Sequence, residues 1–152
     1  MKTNLIRLFL LILSTMPACQ SATPAPAVIA NANAEFSLAP GQSAVVADTD
    51  LTITFHSIRS DERCPIEIEC VVSGPATLSL SVQQGNDLSS NVTLQTFTDN
   101  DGRSPKVEFE GIQDRLEVGE YLLQVVGVLP YPKNLSETKA SAYRVTFTVG
   151  RK

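Results

Sequence analysis

Leu51, Ile53 and Phe55 alternate with Thr52, Thr54 and His56, the period of two that marks a half-buried strand. Leu78, Leu80 and Val82 alternate with Thr77, Ser79 and Ser81 in the same way, and Tyr143, Val145, Phe147 and Val149 do so around Arg144, Thr146 and Thr148. Shorter alternations predict strands at Val92 and Leu94 and at Val107 and Phe109, with weaker signals at Phe36 and Leu38 and at Val45 and Val46. Tyr121 to Leu129 is apolar at successive positions, which predicts a central strand covered on both faces. Between these runs stand Pro40-Gly41, Gly74-Pro75, Gly85-Asn86-Asp87, Asp99-Asn100-Asp101-Gly102 and Pro130-Tyr131-Pro132, residues that favour turns. No stretch beyond residue 34 carries an apolar stripe of helical period, so residues 35–152 are expected to form one antiparallel β-sandwich of about eight or nine short strands.

The first residues follow a different logic. Lys2 and Arg7 precede the aliphatic run Leu8 to Leu13, and Ser14 to Ala18 is small and weakly polar, the layout of a secretory signal peptide over residues 1–18. Met16-Pro17-Ala18-Cys19 resembles the lipobox of bacterial lipoproteins, with Met16 where Leu is commonest. The resemblance implies that Cys19 is acylated, becomes the mature N-terminus and anchors the chain to the cell envelope. Gln20 in place of Asp implies the outer membrane if the source is Gram-negative. Residues 19–34, rich in Ala, Pro, Ser, Thr and Asn, read as a flexible tether beyond the lipidated Cys.

Charge narrows the partners. The chain carries 12 basic and 16 acidic residues, a net charge of −4, so it offers no basic footprint for nucleic acid and no attraction to anionic lipid. Cleavage before Cys19 removes Lys2 and Arg7 and leaves 10 basic residues against 16 acidic ones. No apolar run reaches the roughly 18 residues of a membrane span.

With Cys19 assigned to the anchor, Cys64 and Cys70 are the two thiols of an exported domain, and a local disulfide is their expected state. Five residues separate them, where a redox motif has two. Zinc takes four ligands, and the chain has a single, distant His. No metal or cofactor is expected.

Leu116 to Leu123 contains Gly119-Glu120-Tyr121-Leu122-Leu123, which resembles the Gly-x-Tyr-x-Leu opening of a strand in immunoglobulin-like sandwiches, with Leu123 where antibody-type domains have Cys. The resemblance implies an immunoglobulin-like version of the sandwich. Asp61-Glu62-Arg63-Cys64-Pro65, Cys70-Val71-Val72, Gly74-Pro75-Ala76 and Leu129-Pro130-Tyr131-Pro132 resemble a recurrent family of bacterial secreted and lipoprotein β-domains with an Asp-x-Arg-Cys-Pro segment and a second Cys opening a Cys-Val-type strand. The likeness runs from about Phe36 to Val149, with Val72 where an aromatic is usual. It implies architecture and export, and no particular activity.

Chemistry-bearing residues are few. His56 falls on the polar side of its strand near Ser57, Ser60, Asp61 and Glu62, without the elbow that a serine nucleophile uses, and reads as a surface histidine. Asp99, Asn100, Asp101 and Gly102 lack the spacing of a calcium loop and read as a hairpin turn. Asp61, Glu62, Glu67 and Glu69 form an acidic rim around the cysteine loop. The expected function is non-catalytic binding to an envelope protein or an extracellular macromolecule, with Asp61, Glu62, Arg63, Asp99, Asp101 and Tyr131 as the candidate contact surface. A protease inhibitor presenting the stapled loop and a hydrolase using the clustered carboxylates are the rival expectations.

Overall fold

The structure, a computed structural model, describes residues 26–87 and 89–152. The signal peptide and Cys19 lie outside the described residues. Nine strands are described: β1 (Val28–Ala30), β2 (Phe36–Leu38), β3 (Ser43–Val46), β4 (Leu51–Asp61), β5 (Ala76–Gln84), β6 (Ser90–Thr96), β7 (Arg115–Val118), β8 (Tyr121–Leu129) and β9 (Arg144–Arg151). They form an all-β fold of two sheets, ordered β1-β3-β4-β5-β6 and β2-β9-β8-β7.

Alternation sets which faces meet. Leu51, Ile53 and Phe55 of β4 and Ala76, Leu78, Leu80 and Val82 of β5 point to one side, and Tyr121, Leu123 and Val125 of β8 and Val145, Phe147 and Val149 of β9 point to the other. Phe147 sits where the sheets touch, its ring edge-on to Phe55 at 6.4 Å and tilted against Phe36 at 5.9 Å. β8 lies between β7 and β9, the central position expected of it, but its outward residues Leu122, Gln124 and Val126 are half-buried rather than closed over.

Three expectations are corrected. The tether does not reach residue 34: Val28 to Ala30 pairs with Ala44 to Val46, and this pairing is parallel while every other described strand pair is antiparallel. Ala30 is buried and Val28 packs against the core, so this short segment joins the sheet. Val107 and Phe109 form no strand, because Pro105 and Gly111 bracket an exposed loop in which Phe109 packs on Phe97 instead, 4.9 Å between ring centres. The strand that the Cys70-Val71 resemblance implies, from about Glu67 to Ser73, does not form either: these residues run as turn, bend and irregular chain in and after the loop closed by the Cys64–Cys70 disulfide.

Over its second half, β4 has a neighbour on one side only among the described residues. β3 pairs with it from Thr52 to Thr54, and the turn before β3 caps the next position, Gly41 N donating to Phe55 O and Phe55 N to Gln42 O. From His56 to Ser60, β4 is paired with β5 alone among the described residues, and two register shifts, between Phe55 and Ser57 and between Ile58 and Ser60, bend it there.

Candidate functional site

β4 ends at Asp61, and the chain then turns Arg63 into the end of the sandwich, where it is 2% exposed. A guanidinium has five N–H groups, and burial is costly unless all are used. Here all five are. Nε and Nη2 donate to the two carboxylate oxygens of Asp61 at 2.7 and 2.6 Å, Nη1 donates to Thr98 Oγ1 at 3.1 Å and to Val128 O at 2.8 Å, and Nη2 donates also to Pro130 O at 3.0 Å. The face of the guanidinium lies over the Tyr131 ring. Tyr143 completes the group by donating its hydroxyl to Asp61 Oδ2 at 3.0 Å. Burial, and then the neighbouring Asp61 carboxylate, hold that hydroxyl above the usual tyrosine range.

On this base the two connecting segments are stitched together. Cys64 and Cys70 are bonded, with 6.0 Å between their Cα atoms. Ile66 N donates to Pro132 O, Glu67 N to Lys133 O, and Cys64 N to Ser73 Oγ. Between the free stretch of β4, the disulfide loop and residues 134–140 opens a cleft of about 500 Å³. Val72 and Leu135 stand exposed on its walls, 79% and 82% accessible, and Ile66 and Ile68 are exposed on the neighbouring loop. Glu62 and Glu137 line it as well, and neither is ion-paired among the described residues; Arg59 is the one cation lining it without an ion pair.

The residues expected to form a contact surface divide. Glu62, Asp99 and Asp101 are exposed. Asp61, Arg63 and Tyr131 are not a surface: the Asp61 side chain is 10% accessible, that of Arg63 0%, and Tyr131 is 9% exposed, because each satisfies the others inside the fold. Tyr131 is therefore not an outward anchor between its prolines. Asp99 caps its own turn, its Oδ1 accepting from Asp101 N at 3.0 Å and Arg103 N at 2.8 Å, but the turn joins no strand pair among the described residues, because Arg103 bridges Gly127 of β8 rather than the chain before Asp99. His56 bonds Ser81 at 3.0 Å and not Ser57, Ser60 or an acid. Sequence reasoning missed Thr98 and Tyr143, which sit far along the chain. It could have found the Asp61–Arg63 pair, since residues two apart on extended chain share a face.

A second depression of about 450 Å³ lies between Phe97, Phe109 and Pro105, with Arg103 at its edge. Arg103 is occupied, its two terminal nitrogens donating to both carboxylate oxygens of Glu35 at 2.8 and 2.6 Å, and this ion pair holds the Glu35 carboxyl below its usual range. Among the described residues, no group of three His, Cys, Asp or Glu side chains is placed to hold a metal ion, and no helix is long and apolar enough to cross a membrane.

No family model matches the chain, and comparison with curated proteins and with solved structures gives no match.

Proposed function

We propose that this chain is an exported, lipid-anchored bacterial envelope protein whose domain is an immunoglobulin-like, non-catalytic binding module, with the cleft at the disulfide end as its contact site. The observation that carries the binding part is that exposed Val72 and Leu135 flank a cleft whose floor is fixed by a fully hydrogen-bonded buried arginine. Apolar side chains held out to water on a rigid base are the usual arrangement of a contact surface. The Cys64–Cys70 disulfide supports export, because such bonds persist in oxidising compartments. The lipid anchor rests on the sequence around Cys19 alone. The strand-opening Tyr121, buried at the start of β8, supports the immunoglobulin-like reading.

The test places a photo-crosslinking residue at position 135 or, as a control on the open face of the sheet, at position 45, in cells that express the full chain. A discrete adduct from 135 and none from 45, with the protein in the membrane fraction and Cys19→Ala released from it, is the expected result. Equal labelling from both positions overturns the contact site, and a Cys19→Ala protein that stays with the membrane overturns the anchor.

A further inference from the structure

We infer that the cleft takes its partner as an added β-strand, an extended segment of another protein laid along the free stretch of β4. The inference rests on the binding reading above and specifies its mode. From His56 to Ser60 the side of β4 turned away from β5 has no backbone partner among the described residues, and Ile58, Arg59 and Ser60 line the cleft directly. Five residues of strand span about 17 Å at 3.3 Å per residue, room for a partner segment of four or five residues. An unpaired edge is a template for exactly one kind of backbone, an extended one, and natural folds usually blunt or cover it.

Among the described residues, the chain's own N-terminal side does not fill this place. Ala30 O accepts from Ala47 N, so Val28 and Pro26, at the same parity, are turned to the same edge of the strand. Pro26 has no N–H to give, and the ladder begins at Val28. The free charges describe the occupant. Asp61 and Arg63 neutralise each other, which leaves Glu62 and Glu137 against Arg59 on the cleft walls. Ile58, Val72 and Leu135 line the same cleft. The fitting partner is a proline-free extended peptide that sets a Lys or Arg beside an apolar side chain.

A displayed library of random heptapeptides, selected on the full-length protein purified in mild detergent, tests this. Selected peptides are then measured by binding and by amide hydrogen exchange. The expected result is enrichment of Lys or Arg next to aliphatic residues, exchange at His56 to Ser60 slowed at least tenfold by the peptide, and loss of both effects when alternate peptide nitrogens are methylated. Glu62→Lys with Glu137→Lys, both exposed positions, is expected to weaken binding at least tenfold. Peptides that bind the cleft while His56 to Ser60 exchange as before overturn strand addition and leave the binding reading standing. Adducts at position 135 with no peptide selected do the same. Protection that appears on concentrating the protein alone shows a second copy as the occupant and overturns the partner proposed. Neither peptide nor adduct overturns both readings.

Discussion

The guanidinium carbon of Arg63 lies 4.9 Å from the centre of the Tyr131 ring, so the one fully buried cation of the described residues is stacked on an aromatic face while its edge is spent on five hydrogen bonds. Those bonds reach β4, the segment after β6, and the end of β8, and so tie both sheets together at one end of the sandwich. Removing either member of a buried ion pair leaves the other uncompensated, at a cost of about 3–5 kcal/mol. Asp61→Ala and Arg63→Ala are each expected to lower stability by that amount, and the double substitution by much less than the sum, because the stranded charge is gone. Urea unfolding of the three variants checks this, and additive losses would sink the argument.

The disulfide acts on a smaller scale. Closing a loop of about seven residues limits the unfolded chain by roughly 2.4 kcal/mol in the chain-entropy account. Cys64→Ser with Cys70→Ser is expected to lower the melting temperature by about 5–12 °C. Since Ile66 and Glu67 are bonded to Pro132 and Lys133 across the same end, amide exchange is expected to quicken in both segments and not in β5. Exchange that quickens uniformly over the domain would contradict this local role.

The strands that were legible are those in which one face is buried and the other wet. β4, β5 and β9 meet that condition, and their alternation follows from it directly, whereas β8 was read from its unbroken apolar run and proved half-buried on its outer face. β1 was not legible, because three residues in a parallel pairing, with Ala30 buried, Val28 partly buried and Ile29 exposed, are too short a pattern to stand out beside a Pro/Ala-rich stretch. Val107 and Phe109 misled for the converse reason: two alternating apolar residues are too few to separate a strand from a loop that carries its own aromatic contact. At the candidate site, the disulfide followed from compartment and spacing. The inward turn of Arg63 did not, since its partners Thr98, Val128 and Pro130 lie 35 to 67 residues away and a charged residue is by default read as solvated. The cleft depends on where β3 stops, a property of sheet topology that periodicity does not encode.

Gly102 joins the Asp99 turn to this framework. Its φ is +76°, its carbonyl accepts from Val128 N at 2.8 Å, and a Cβ built on it falls 2.6 Å from both Val128 O and Leu129 Cδ2. Val128 O is also an acceptor for Arg63, so displacing it disturbs the buried pair. Gly102→Ala is expected to cost at least about 2 kcal/mol, above the roughly 1–2 kcal/mol of the left-handed conformation alone. Gly41→Ala, at φ +78° with nothing within 4 Å of the added carbon, is the control and should show only the conformational part. Equal losses in the two variants, measured by thermal unfolding, would remove the contact argument.

Tyr143 makes the same network sensitive to alkali. Its hydroxyl is held above the usual range, by burial first and by the Asp61 carboxylate next, with Arg63 and a hydrogen bond to Thr138 acting in the opposite direction. Below about pH 10, the ordinary value of a tyrosine hydroxyl, the folded and unfolded chains both keep this proton, and the hydrogen bond to Asp61 contributes in full. As the pH rises further, the unfolded chain ionises first and binds fewer protons than the folded one, so the slope of stability against pH is negative and the contribution is lost. Tyr143→Phe removes the titrating group while Arg63 still satisfies Asp61. The variant is expected to be about 1 kcal/mol less stable than the parent at pH 7 to 9, and to close that gap above pH 10. Denaturant unfolding of the two proteins over that range gives the difference directly, and a gap that stays constant with pH would show that Tyr143 is not the residue that titrates.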